Sequence, residues 1–78
     1  MNSHVRFIKA INICLKYDEI NTHLLQRKLM IGYSTAHIIF KKLKELKVIT
    51  GEKYIYNPFG KVKVGTVDKK TARFYLVN

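Results

Sequence analysis

Three observations predict the fold class of this 78-residue chain. Two helical stretches meet across a very short turn at Gly32, the second opening at Ser34. The chain carries a large basic excess. Past Val48 the apolar period shortens from that of a helix to that of a strand. Together these predict an α+β domain, a winged helix-turn-helix in which three helices precede a two- or three-stranded antiparallel β-wing. An ordinary αα-hairpin in a small bundle is the plainer way to read the same turn.

The first helix is expected from about residue 3 to residue 17, with Ser3 as its cap. At 100° per residue Phe7, Ile8, Ile11, Cys14 and Leu15 share one face, and Arg6, Lys9, Asn12 and Lys16 lie elsewhere. Val5 and Ile13 fall outside the apolar face, where they could meet a protein partner. Residues 18–22 form a connector in which Ile20 can add a one-residue strand to a later sheet. Asn21 or Thr22 caps a second helix through about Met30 that buries Leu24, Leu25 and Leu29. Gly32 sits where the chain reverses, a place that often needs φ > 0. Ser34 then offers its hydroxyl to the free N–H groups of a third helix ending near Lys47. Ala36, Ile39, Phe40, Leu43 and Leu46 fall on its inner face. Ser34, His37, Ile38, Lys41 and Glu45 fall on the outer one, flanked by Thr35, Lys42 and Lys44.

Strand patterns follow. Lys61-Val62-Lys63-Val64 and Arg73-Phe74-Tyr75-Leu76 alternate, and Tyr54-Ile55-Tyr56 is rich in β-formers. Turn chemistry occurs twice, in Asn57-Pro58-Phe59-Gly60 and in Asp68-Lys69-Lys70-Thr71. Either can be the wing tip, and the lysines favour the second.

The stretch Leu-Leu-Gln-Arg-Lys-Leu-x-Ile-Gly-Tyr-Ser-x-Ala at residues 24–36 resembles the winged-helix gamma domain that ends the FtsK-type chromosome translocases. The likeness continues more weakly through Leu43 and Val48-Ile49, about a third of the chain. It implies a small winged helix whose third helix reads duplex DNA. It does not imply a motor, because no G-x-x-x-x-G-K-[ST] loop is present. Ser34, Ile38 and Lys41 stand where that family carries Asn, Arg and an acidic residue. The resemblance therefore carries the fold over without the target sequence.

Composition bounds the function. Hydrophobic residues at 47% are enough for one small core, so a single domain over residues 1–78 is expected. Fifteen basic residues against five acidic ones give a net charge of +10, which calls for a polyanionic partner. No apolar run is long enough to span a membrane, and no signal peptide is evident. Cys14 is the one cysteine, so no intrachain disulfide can form, and its place on the apolar face predicts a buried, inert thiol. These features predict a cytoplasmic, nucleoid-associated protein. The Lys-, Ile-, Asn- and Tyr-rich composition fits an AT-rich genome or its mobile genetic elements.

Catalysis is not expected. The acidic residues Asp18, Glu19, Glu45, Glu52 and Asp68 form no pair on one face. The histidines His4, His23 and His37 fall on three different helices without ligand spacing, so neither a metal nor another cofactor is implied. The expected partner is DNA, with duplex favoured over single strand. Ser34, Thr35, His37, Ile38, Lys41 and Lys42 are the candidates in the major groove, Ile38 through a thymine methyl or a protein contact. Arg27 beside the turn, and Lys61, Lys63, Lys69, Lys70 and Arg73 of the wing, are the candidates for phosphate. Two alternatives stand. Tyr54, Tyr56 and Phe59, interleaved with lysines, could stack the bases of single-stranded DNA in an accessory to a replication machine. About half of the wing aromatics would pack beneath the sheet in either case. Alternatively the domain is a protein–protein module or homodimer that uses Val5, Ile13 or Ile38.

Overall fold

A computed structural model describes residues 3–77. The chain runs α1 (Ser3–Lys16), β1 (Glu19–Ile20), α2 (Thr22–Leu29), α3 (Tyr33–Glu45), β2 (Ile49–Asn57), β3 (Gly60–Val67) and α4 (Lys69–Val77). The result is a small α+β domain of four helices and one antiparallel sheet of order β1-β3-β2. Ile20 does join the sheet: β1 pairs through Glu19 opposite Thr66 and Ile20 opposite Gly65.

The core joins every helix to the sheet. Ala10, Ile11, Ile13 and Cys14 of α1 meet Leu25 and Leu29 of α2, and Ala36, Ile39, Phe40 and Leu43 of α3, with Ile20, Ile49 and Val67 from the sheet. Leu25 and Leu43 are fully buried, and each contributes about 2 kcal/mol by leaving water. One contact needs a glycine. A Cβ on Gly65 would stand 2.5 Å from the Ile49 Cγ2 and 3.1 Å from the Phe40 Cζ, so α3 can press onto the sheet there because no side chain intervenes.

Four expectations are corrected. First, residues 73–76 belong to a helix, α4, and not to a strand. Asp68 fixes its start, accepting from the backbone N–H groups of Lys70 (3.1 Å) and Thr71 (3.2 Å) and from the Thr71 hydroxyl. A capping carboxylate outcompetes the short alternation that follows it. Residues 68–71 are therefore a helix start, and the hairpin turn lies at residues 57–60. Second, α4 packs against α1, with Phe7 and Tyr75 edge to face at 6.2 Å, and Ile13 is buried at 8% exposure. A one-sided face for α1 left no place for this fourth helix. Third, Gly32 lies at φ −72°, ψ 165°, extended backbone open to any residue. The left-handed residue of the turn is Met30, at φ 54°, ψ 51°, whose N–H donates to the Gln26 carbonyl. Fourth, Gly32 and not Ser34 occupies the cap position of α3, and no side chain caps that end. The cap of α2 is Asn21, which accepts from the Leu24 N–H at 2.7 Å.

Candidate nucleic-acid interface

Beyond Ile49 every residue of β2 is exposed, so the β2–β3 hairpin stands clear of the core. Its register sets Tyr54 opposite Lys63 and Tyr56 opposite Lys61. Directly opposed residues share a face, so one face of the arm carries Glu52, Tyr54, Tyr56, Lys61 and Lys63. Gly65, opposite Glu52, continues that face and abuts Phe40 of α3. The arm and α3 therefore bound one concave surface.

That surface is a cleft of about 570 Å³. His37, Lys41 and Lys44 of α3, the hairpin residues Glu52, Tyr54, Lys61 and Lys63, and Asn21, His23 and Tyr33 all line it. Positions 37, 41 and 44 recur at helical spacing and so lie on one side of α3. Tyr33 stacks on His37 at 6.1 Å and 15°, and His23 lies 5.9 Å from Tyr33 in a tilted arrangement. A row of three rings thus forms one wall. Lys61 sits 4.5 Å above the Tyr54 ring, a cation–π contact that occupies one face of that ring.

Four lysines face the cleft against one carboxylate. Glu52 bonds Lys44 at 2.5 Å and Lys63 at 3.1 Å. The hydrogen bond from Lys44, with help from Lys63, holds the Glu52 carboxyl below its ordinary range, and the bond to Glu52 raises Lys63. Glu52 ties the hairpin to α3 and keeps two of the lysines in place. On the arm's other side Lys53 bonds Glu19 of β1 at 2.6 Å.

The expected contact residues divide into five groups. His37, Lys41, Lys61 and Lys63 converge on the cleft. Thr35, Ile38 and Lys42 instead line a second, apolar groove with His4, Arg6, Phe7 and Ile39. Ser34 is exposed in the first turn of α3, and Arg27 is exposed in the last turn of α2. Lys70 and Arg73 are exposed on α4, not on a wing, and do not line the cleft. Lys69 is withdrawn altogether. Its ammonium donates to the carbonyls of Cys14 (3.0 Å), Leu15 (3.0 Å) and Tyr17 (2.8 Å), which closes the C-terminus of α1. A cation there also complements the helix dipole.

The expectation for the aromatics is revised as well. Tyr54, Tyr56 and Phe59 are all exposed, at 50%, 75% and 98%, so none packs beneath the sheet. Tyr75 alone is partly buried, and it belongs to α4. The sequence reading missed Tyr33, His23 and Glu52, and it placed Lys44 only at the flank. The i, i+4 spacing of Tyr33 and His37 was the available signal. Glu52 becomes legible once a two-residue turn at Pro58-Phe59 fixes the hairpin register.

Cys14 is buried, and desolvation pushes its thiol up to about 12, against a smaller opposing effect of Lys69. Among the described residues no cluster of His, Cys, Asp or Glu could hold a metal ion, and no helix is long and apolar enough to cross a membrane. Comparison with protein-family models, curated proteins and solved structures finds no match for this chain.

Proposed function

We propose that this domain is a winged helix that binds duplex DNA, with α3 in the major groove and the β2–β3 hairpin as its wing. One observation carries the reading. The α3 lysines Lys41 and Lys44 and the hairpin lysines Lys61 and Lys63 face the same concave surface, which is as a rod-like polyanion requires. His37 stands among them with ring nitrogens able to donate to or accept from a purine edge. The resemblance of residues 24–36 to the FtsK-type gamma domain belongs to the same proposal and rests on those residues alone. A protein–protein role has less to draw on, because Ile13 is buried in the core, leaving Ile38 and Val5 exposed at 66% and 41%.

The test removes charge from α3 without touching the core. Lys41 and Lys42 are both exposed, so Lys41→Ala/Lys42→Ala should keep the wild-type melting temperature and lose duplex affinity about tenfold or more at low salt. Wild-type affinity should itself fall steeply between about 50 and 200 mM salt. Unchanged affinity in the double variant would remove α3 from the interface. A flat salt response in the wild type would remove nucleic acid as the partner.

A further inference from the structure

We infer that the tip of the hairpin stacks on unpaired bases, so that the DNA this domain selects is a junction between duplex and single strand. The inference rests on the reading of α3 as the duplex-binding helix and names the substrate class of that interface. Phe59 is 98% exposed and Tyr56 is 75% exposed. Both are far more open than an aromatic ring in a small domain needs to be, and nothing in the fold covers them. Tyr54 differs, because Lys61 already covers one face of its ring.

The tip is a built feature. Asn57 Oδ1 accepts the Phe59 N–H at 2.8 Å, the ring of Pro58 fixes its own φ, and Gly60 at φ 129° turns the chain back into β3. Phe59 is thereby presented outward by three local constraints, while the glycine leaves no side chain beside it. A wing that met only phosphates would be served by polar residues at this point.

Charge decides what the tip meets. Lys53, Lys61 and Lys63 line the arm that carries it, so a second copy of the chain would bring like charges together. An anionic bilayer would satisfy the lysines and the ring at the tip. It could not follow the arm into the concave cleft, where Lys61 and Lys63 face α3. Nucleic acid fits both the cleft and the tip. In an intact duplex the base faces are already stacked, whereas an unpaired base offers its π-face to any ring. Reach gives the position. Phe59 lies seven positions beyond Glu52, which is tied to α3 through Lys44, and at about 3.4 Å per position the two are at most about 24 Å apart. The unpaired bases should therefore lie within about seven base-pair steps of the α3 contact.

Fluorescence anisotropy with the whole chain tests this on three probes of one sequence: plain duplex, duplex with a single-stranded overhang, and single strand. Wild type should prefer the overhang probe to plain duplex by about tenfold or more. Phe59→Ala should lower affinity for the overhang probe to that for plain duplex, with plain-duplex affinity and melting temperature unchanged. Equal wild-type affinity for the two probes would overturn the inference. So would an equal loss on both in Phe59→Ala, which would make the ring a wedge in continuous duplex. Binding to phosphatidylglycerol vesicles that Phe59→Ala abolishes, without any junction preference, would assign the tip to a membrane instead. Failure of the underlying reading looks different: plain duplex is then bound equally by wild type and Lys41→Ala/Lys42→Ala, and the junction inference falls with it.

Discussion

At the scale of single residues the turn between α2 and α3 shows how a residue type can mislead. A glycine at a reversal invites a left-handed assignment, yet the backbone takes that conformation two residues earlier, at Met30. The reason is local. Hydrogen bonds from the Met30 and Ile31 N–H groups to the Gln26 carbonyl close α2, and a helix closed in this way needs its cap residue in the left-handed region. Methionine pays about 1 kcal/mol for that conformation, and with 90% of it exposed it recovers little by packing. Met30→Gly should therefore stabilise the domain by up to about 1 kcal/mol, less the greater chain entropy of glycine. Gly32→Val should be close to neutral, since a Cβ there meets nothing within 4 Å and φ is negative. Urea unfolding of the two variants checks both. A Gly32→Val variant that loses several kcal/mol would place the strain at Gly32 after all.

At the scale of elements, legibility followed the length and regularity of each pattern. The core residues of α3, Ala36, Ile39, Phe40 and Leu43, recur at helical spacing over two turns and are buried as that spacing requires. Residues 73–76 alternate over only four positions, too short a run to distinguish a strand from one face of a helix. The capping geometry of Asp68, which decides the matter, depends on where the chain already is. Lys69 shows the same limit. In sequence it is one more lysine beside a turn, and only the approach of α4 to α1 places its ammonium against three carbonyls separated from it by more than fifty residues. Lys69→Ala should cost about 2 kcal/mol, the scale of hydrogen bonds made by a charged donor. The contact between Lys69 and Asp18 adds little, because Asp18 is 98% exposed. Thermal unfolding should show the loss, while duplex affinity of the folded protein stays at the wild-type value. Reduced affinity with unchanged stability would return Lys69 to the DNA interface.

At the scale of the whole molecule the cleft is a balance of charges, and Glu52 is where the balance can be moved. Its carboxyl is held below the ordinary value of 4.5 by Lys44 and Lys63, so it is ionised at neutral pH and its single charge is shared between the two. A carboxyl with a lowered folded-state value stabilises the fold above its ordinary value and loses that contribution as pH falls through the lowered one. Asp68, also lowered, through its bonds to Thr71, acts in the same direction, so stability should decline below about pH 4. For binding, the sign reverses. Glu52→Gln keeps the shape of the side chain and frees two lysines to meet phosphate. Each added phosphate contact steepens the dependence of log affinity on log salt by about 0.9, so the slope should grow by up to about 1.8. Affinity at about 50 mM salt should rise accordingly, while the acid loss of stability becomes shallower. Anisotropy titrations across about 50–200 mM salt, set beside urea unfolding at neutral and acid pH, measure the two effects separately. A variant that is less stable in acid-independent fashion but has the wild-type salt slope would mean that Lys44 and Lys63 serve Glu52 alone, and that DNA approaches the domain from outside this cleft.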